Sequence, residues 1–124
     1  MSLNEIWIAD DSPVYRELIA KFLKEKTGLE CRTFAHGNEL LKNYKGEDPK
    51  AIVLDYHFSF DDYNDNAQKT LISLKGKGCR CPIVLATGAS ERGKTMMQFN
   101  KIFDKFEDHF LDDLLKYLLP IVSK

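Results

Sequence analysis

No stretch of this chain stays apolar long enough to cross a membrane. Its longest apolar runs, such as Ile6-Trp7-Ile8-Ala9 and Ala51-Ile52-Val53-Leu54, fall far short of the ~20 residues a spanning helix needs. The N-terminus also lacks the basic-then-apolar pattern of a secretory signal, so a cytoplasmic protein is expected. No charge of one sign dominates. Eighteen basic side chains against nineteen acidic ones give a net charge of −1, and neither sign forms a block, which argues against a general electrostatic grip on nucleic acid. Internal repeats and low-complexity segments are absent. Cysteine is sparse: Cys31, Cys79 and Cys81 make an odd number without an export signal, which points to reduced thiols. Cys79-Arg80-Cys81 offers two ligands to a soft metal, but no second pair and no suitably spaced histidine completes a zinc site. The expectation there is a loop entering a buried strand. At 124 residues, one domain spanning 1–124 is expected, acting alone or through a partner.

What is present is an alternation of short apolar runs with helical patterns. After the first run, Ser12-Pro13 supplies an N-cap and a proline at the first helical position. Tyr15, Leu18, Ile19, Phe22 and Leu23 then fall on one helical face, which Gly28 can terminate. Leu29 to Phe34 alternates loosely and reads as a strand near a sheet edge. A short helix follows through Leu40, Leu41 and Tyr44, closed by Gly46 and the turn Glu47-Asp48-Pro49. Ala51 to Leu54 and Ile83 to Ala86 are continuously apolar, as parallel strands covered on both faces are. Between them Ala67, Thr70, Leu71 and Leu74 keep helical spacing up to Gly76 and Gly78. A weaker helix is expected over Ser90 to Phe99, with Gly93 inside it, and a fifth strand over Lys101 to Phe106. The last helix carries Leu111, Leu114, Leu115, Leu118 and Leu119 on one face before Pro120. Five strands alternating with five helices imply an α/β domain with a five-stranded parallel sheet and helices on both faces. The flavodoxin-like order 2-1-3-4-5 is one of the two common solutions.

In that order the first and third strands are neighbours. Their carboxyl ends bring Asp10, Asp11 and Asp55 to the topological switch point, the crevice where open α/β sheets bind ligands. Two carboxylates about 5 Å apart repel by roughly 3 kcal/mol at an effective dielectric near 20. A raised pKa or a bound divalent cation relieves that repulsion. An all-oxygen ligand set suits Mg²⁺, a hard ion that keeps several waters. Thr87, ending the fourth strand, and Lys105, near the end of the fifth, would project into the same crevice, and the ammonium would help too. Each residue has a plainer reading taken singly. Asp10-Asp11-Ser12-Pro13 is also a good helix start, Asp55 could mark the chain's exit to water, Thr87 could be an ordinary hydroxyl and Lys105 a solvated lysine. Their coincidence at four strand ends favours a site.

With those residues in place, together with Val84-Leu85-Ala86-Thr87 and Ile102-Phe103-Asp104-Lys105, the whole chain resembles the receiver domains of two-component response regulators, in particular the single-domain regulators of the chemotaxis type. The resemblance implies that Asp55 is the phosphoacceptor. It implies an Mg²⁺ site built from Asp10, Asp11, Asp55 and the backbone carbonyl of His57. Thr87, Lys105 and Ile102 would then be phosphoryl-binding and switch positions, with His57 and Ala89 modulating the lifetime of the aspartyl phosphate. The implied partners are a sensor histidine kinase or phosphotransfer protein and a downstream protein target, without nucleic acid or membrane. Such a domain accepts a phosphoryl group and is not a turnover enzyme.

The pattern departs from the family in several places. Tyr56 to Asp62 lacks the usual methionine-proline and the later glycine, Gly88 replaces a small alanine, and the stretch from Thr87 to Lys105 is short. Phe106 replaces a proline, and Ile102 stands where many members carry a switching aromatic. These departures motivate a second reading, a degenerate receiver acting as a phosphorylation-independent interaction module. A third, a small Mg²⁺-dependent phosphatase of similar shape, would want a second acid two residues after the nucleophile, where His57 stands. His36, His57 and His109 fall in separate elements and do not suggest a shared site. Met96-Met97 with Phe99 reads as packing, and Asp61, Asp62 and Asp65 as solvated acids.

Overall fold

The computed structural model describes residues 3–56, 66–88 and 99–123. Along the chain these form β1 (Glu5–Ala9), α1 (Pro13–Thr27), β2 (Glu30–Phe34), α2 (Gly37–Asn43), β3 (Ala51–Leu54), α3 (Ala67–Gly76), β4 (Ile83–Thr87), β5 (Lys101–Asp104) and α4 (Phe110–Val122). The strands make one sheet of order β2-β1-β3-β4-β5, parallel throughout, as the alternation predicts. The helix expected over Ser90 to Phe99 falls, apart from Phe99, outside the described residues.

Strand side chains alternate between faces, and both faces are covered. Trp7, Ala9, Ile52, Leu54, Ile83 and Leu85 point to the side where Leu40 of α2 and Leu71 and Leu74 of α3 pack. Ile6, Ile8, Val53, Val84 and Ala86 point to the other side, against Ile19 and Leu23 of α1 and Leu114 and Leu118 of α4. That two-sided burial is why β1, β3 and β4 read as unbroken apolar runs. β2 occupies an edge and is largely exposed. Its Arg32 guanidinium lies 5.1 Å from the centroid of Trp7.

The helix ends follow their residue chemistry. The Ser12 hydroxyl accepts the Tyr15 amide at 3.4 Å, Pro13 opens α1, and Gly28 closes it in the left-handed region at φ 76°. The Asn66 side chain accepts the Lys69 amide at 3.0 Å to start α3.

Three boundaries differ from the sequence reading. α2 stops at Asn43 because Tyr44 turns inward, its ring against Trp7 and its hydroxyl donating to Asp48 at 2.6 Å. β5 stops at Asp104, whose carboxylate accepts the Phe106 amide at 2.9 Å and turns the chain away. α4 runs past Pro120 to Val122. Pro120 lies on the exposed side of the last turns, and the Lys116 carbonyl it leaves without an amide sits on that same exposed side. The core face of α4 is Phe110, Leu114, Leu118 and Val122, while Leu119 is exposed.

Candidate functional site

The sheet register places the site. β1 and β3 pair through Ala9 and Leu54, and the Asp55 amide donates to the Ala9 carbonyl at 2.9 Å, so Asp10 and Asp55 leave the sheet side by side. One ligand oxygen from each of Asp10, Asp11 and Asp55 lies within 4.8 Å of the others. Asp10 and Asp55 are buried and Asp11 is exposed. Asp10 is held by its neighbours. One carboxylate oxygen accepts the Ser12 amide at 2.9 Å, and the Asp10 carbonyl accepts the Arg16 guanidinium at 2.8 Å. Ser12, the residue that caps α1, therefore also orients the first acid.

Lys105 enters from beyond β5. Its amide donates to the Thr87 carbonyl at 3.2 Å, extending the β4 to β5 pairing by one residue. Its ammonium reaches Asp10 at 3.0 Å and Asp55 at 3.3 Å, and it lies 4.5 Å from the Tyr15 ring centroid. The arrangement leaves one buried cation between two buried anions, with a third acid at the rim. Burial, reinforced by the Asp10 charge and only partly offset by Lys105, pushes the Asp55 carboxyl up to about 6. Burial likewise raises Asp10, against the Ser12 amide and Lys105. For Lys105, burial acts to lower the pKa, but the two carboxylates outweigh it and hold the ammonium above its ordinary range. One ammonium does not neutralise the set. Hard oxygen donors that converge beside the exposed Asp11, with excess negative charge, fit Mg²⁺, and Asp10, Asp11 and Asp55 are the residues that would hold it.

Thr87 is buried at the end of β4, paired with Asp104 in the β4 to β5 register. Ile102 is half-buried, paired with Leu85, and packs on the α2 and α3 side of the sheet. His57 and Ala89 lie outside the described residues, as do Asp61, Asp62, Asp65 and Met96-Met97.

Two features of the site were not read from the sequence. Tyr15 forms its aromatic wall under Lys105, a position legible only as part of the apolar face of α1. The Phe106 ring packs against Tyr15, with centroids 5.8 Å apart, and fills the space beside Gly88, where an added Cβ would come within 2.1 Å of the ring. The two departures from the family pattern, Gly88 and Phe106, are thus one packing unit.

An open parallel sheet of order 2-1-3-4-5, with acids at the carboxyl ends of its first and third strands and a lysine from beyond its fifth, defines a flavodoxin-like domain with its site at the switch point. Within that class the chain has the fold of response regulator receiver domains. It is similar to response regulator protein TrrA from Thermotoga maritima, solved in complex with Mg²⁺ and BeF, with a TM-score of 0.77 and 23% identity over 94% of this chain and 100% of that one. It is also similar to a CheY-like receiver domain protein from Methanospirillum hungatei, with a TM-score of 0.79 and 19% identity over 98% and 95% of the two chains. The non-phosphorylated HemR receiver domain from Leptospira biflexa gives a TM-score of 0.78 and 16% identity over 98% and 96%. No protein-family model and no curated protein matches the sequence. No helix among the described residues is long and apolar enough to cross a membrane.

Proposed function

We propose that this chain is a phosphoacceptor receiver domain of a two-component phosphorelay, taking a phosphoryl group on Asp55 and signalling by protein-protein interaction. The observation that carries this reading is the convergence of Asp10, Asp11 and Asp55 on the buried Lys105 ammonium. In this reading an Asp55 carboxylate oxygen attacks phosphorus. The new O–P bond forms as the P–N bond to the imidazole of a histidine kinase or phosphotransfer protein breaks, and the electron pair returns to the donor nitrogen. With its pKa near 6, Asp55 is mostly ionised at neutral pH and can act as the nucleophile without a separate base. Mg²⁺ held by Asp10, Asp11 and Asp55 would supply charge neutralisation for the transferring group. Lys105, already 3.3 Å from Asp55, is positioned to exchange its carboxylate partner for a phosphoryl oxygen. The Thr87 side chain, at the end of the adjacent strand, would take another. His57 and Ala89 would affect how long the aspartyl phosphate survives. Exchange of Lys105 and Thr87 contacts between the two forms supplies a differential stabilisation, which is what a switch requires.

The test is incubation with acetyl phosphate and Mg²⁺ followed by intact mass measurement. One phosphoryl group per chain is expected, absent without Mg²⁺ and absent in Asp55→Asn. A chain that remains unmodified would refute the proposal.

The packing of Phe106 against Gly88 and Tyr15 favours a narrower alternative for the output alone. In this reading the ring covers the turn that follows Thr87, and the domain accepts phosphate yet binds its target in either state. Partner affinity that changes clearly with a phosphoryl mimic excludes that alternative.

A further inference from the structure

At the opposite end of the sheet from the acidic crevice, three groups from two loops meet. Cys79 and Cys81 precede β4 and Asp48 precedes β3, and one ligand atom from each lies within 4.8 Å of the others. The two sulfurs are 3.6 Å apart. That separation is near the edge of about 3.8 Å expected of a tetrahedron with Zn–S bonds of about 2.3 Å. Asp48 is held as a ligand should be. The Tyr44 hydroxyl donates to one carboxylate oxygen at 2.6 Å, and the amide of Arg80, the residue between the cysteines, donates to the other at 2.9 Å. Such outer hydrogen bonds fix the orientation of metal-binding carboxylates. Burial acts to raise Asp48, but the Tyr44 hydroxyl and the Arg80 amide outweigh it and keep the carboxyl below its ordinary range. Both thiols and the Tyr44 ring are buried, whereas Asp48 is half-exposed and leaves an approach from solvent.

We propose that Asp48, Cys79 and Cys81 form a binding site for a thiophilic divalent cation, Zn²⁺, with water as the fourth ligand. In the sequence no second cysteine pair and no suitably spaced histidine accompanies Cys79 and Cys81. The fold supplies Asp48 instead. Two thiolates select a soft ion, and the carboxylate favours Zn²⁺ over Cu⁺. Binding displaces the thiol protons, one from each cysteine, so uptake releases protons to solvent and tightens as pH rises. The ion would take the place of the hydrogens now shared between Cys79 and Cys81 and between Cys79 and Asp48.

Reduced, EDTA-treated full chain titrated with Co²⁺ should develop thiolate-to-cobalt charge-transfer absorption that saturates at one ion per chain and disappears when Zn²⁺ is added. Competition against a chromophoric chelator should give a Zn²⁺ dissociation constant below about 1 μM. Cys79→Ser and Cys81→Ser should abolish the absorption, and Asp48→Asn should weaken Zn²⁺ at least about tenfold. Asp55→Asn should leave the absorption intact, because the acidic crevice has no sulfur. In the unmodified chain, Zn²⁺ should protect Cys79 and Cys81 from alkylation at sites mapped by peptide mass, a readout that does not depend on the serine variants folding. A Co²⁺ spectrum without charge transfer, unchanged Zn²⁺ affinity in Cys79→Ser, or cysteines that alkylate in the metal-free chain and just as fast with Zn²⁺ would overturn the proposal.

Discussion

Replacing Asp55 with asparagine removes one of the two buried negative charges that share Lys105, and the result should be a more stable domain. A carboxyl raised from 3.8 to about 6 makes its ionised form unfavourable in the folded state by about 3 kcal/mol, at about 1.4 kcal/mol for each tenfold change. The folded protein binds the Asp55 proton more tightly than the unfolded chain does. Between pH 4 and 6 the folded state therefore carries more protons, and stability falls as pH rises through that window. Above about pH 6 the penalty is fully present, and below about pH 4 it is gone. Asparagine resembles the protonated acid at every pH. Urea denaturation of the parent and the variant across pH 4 to 8 should show Asp55→Asn gaining up to about 3 kcal/mol at pH 7.5 relative to its difference at pH 4, with an unchanged denaturant slope. Saturating Mg²⁺ should stabilise the parent, by about 2.7 kcal/mol at a hundredfold excess over its dissociation constant, and the variant much less. A variant no more stable at pH 7.5, with the same pH dependence as the parent, would refute the claim that burial and Asp10 strain this carboxylate.

Lys105→Met should cost about 3 to 5 kcal/mol at pH 7.5 by leaving Asp10 and Asp55 facing each other unpaired. The loss should shrink toward pH 4 as the acids take up protons, and Mg²⁺ should recover part of it. Gly88→Ala should cost about 0.5 kcal/mol in the parent, because its Cβ pushes the largely exposed Phe106 ring off Tyr15. In a Phe106→Ala background the same change should cost almost nothing, and a double-mutant cycle by thermal or urea denaturation measures that coupling. Gly88 has no positive φ, so backbone strain would not obscure the result.

Most of the fold was legible because it rests on local patterns. Unbroken apolar runs marked β1, β3 and β4, since both sheet faces are covered, and Ser12, Pro13 and Gly28 marked the ends of α1 through their own backbone chemistry. The acids of the site were legible for a related reason: Asp10 and Asp55 each stand directly after a buried strand, and with Thr87 and Lys105 they make a coincidence at four strand ends that no single plainer reading covers. What was not legible depends on groups brought together from distant parts of the chain. Pro120 breaks helices as a rule, and only the exposure of its side of α4 shows why it does not here. Asp48 is a turn residue until the fold sets it beside Cys79 and Cys81. Gly88 and Phe106 were two separate oddities, and their contact makes them one.

The central claim is that Asp55, and no other acid of the crevice, carries the phosphoryl group. Borohydride reduction of the acetyl phosphate-treated protein converts an aspartyl phosphate into homoserine, and sequencing of the tryptic peptides by mass spectrometry then locates it. Homoserine at position 55 alone, dependent on Mg²⁺, is the predicted result. Homoserine at position 10 or 11, or at none, would contradict the assignment of the reacting group.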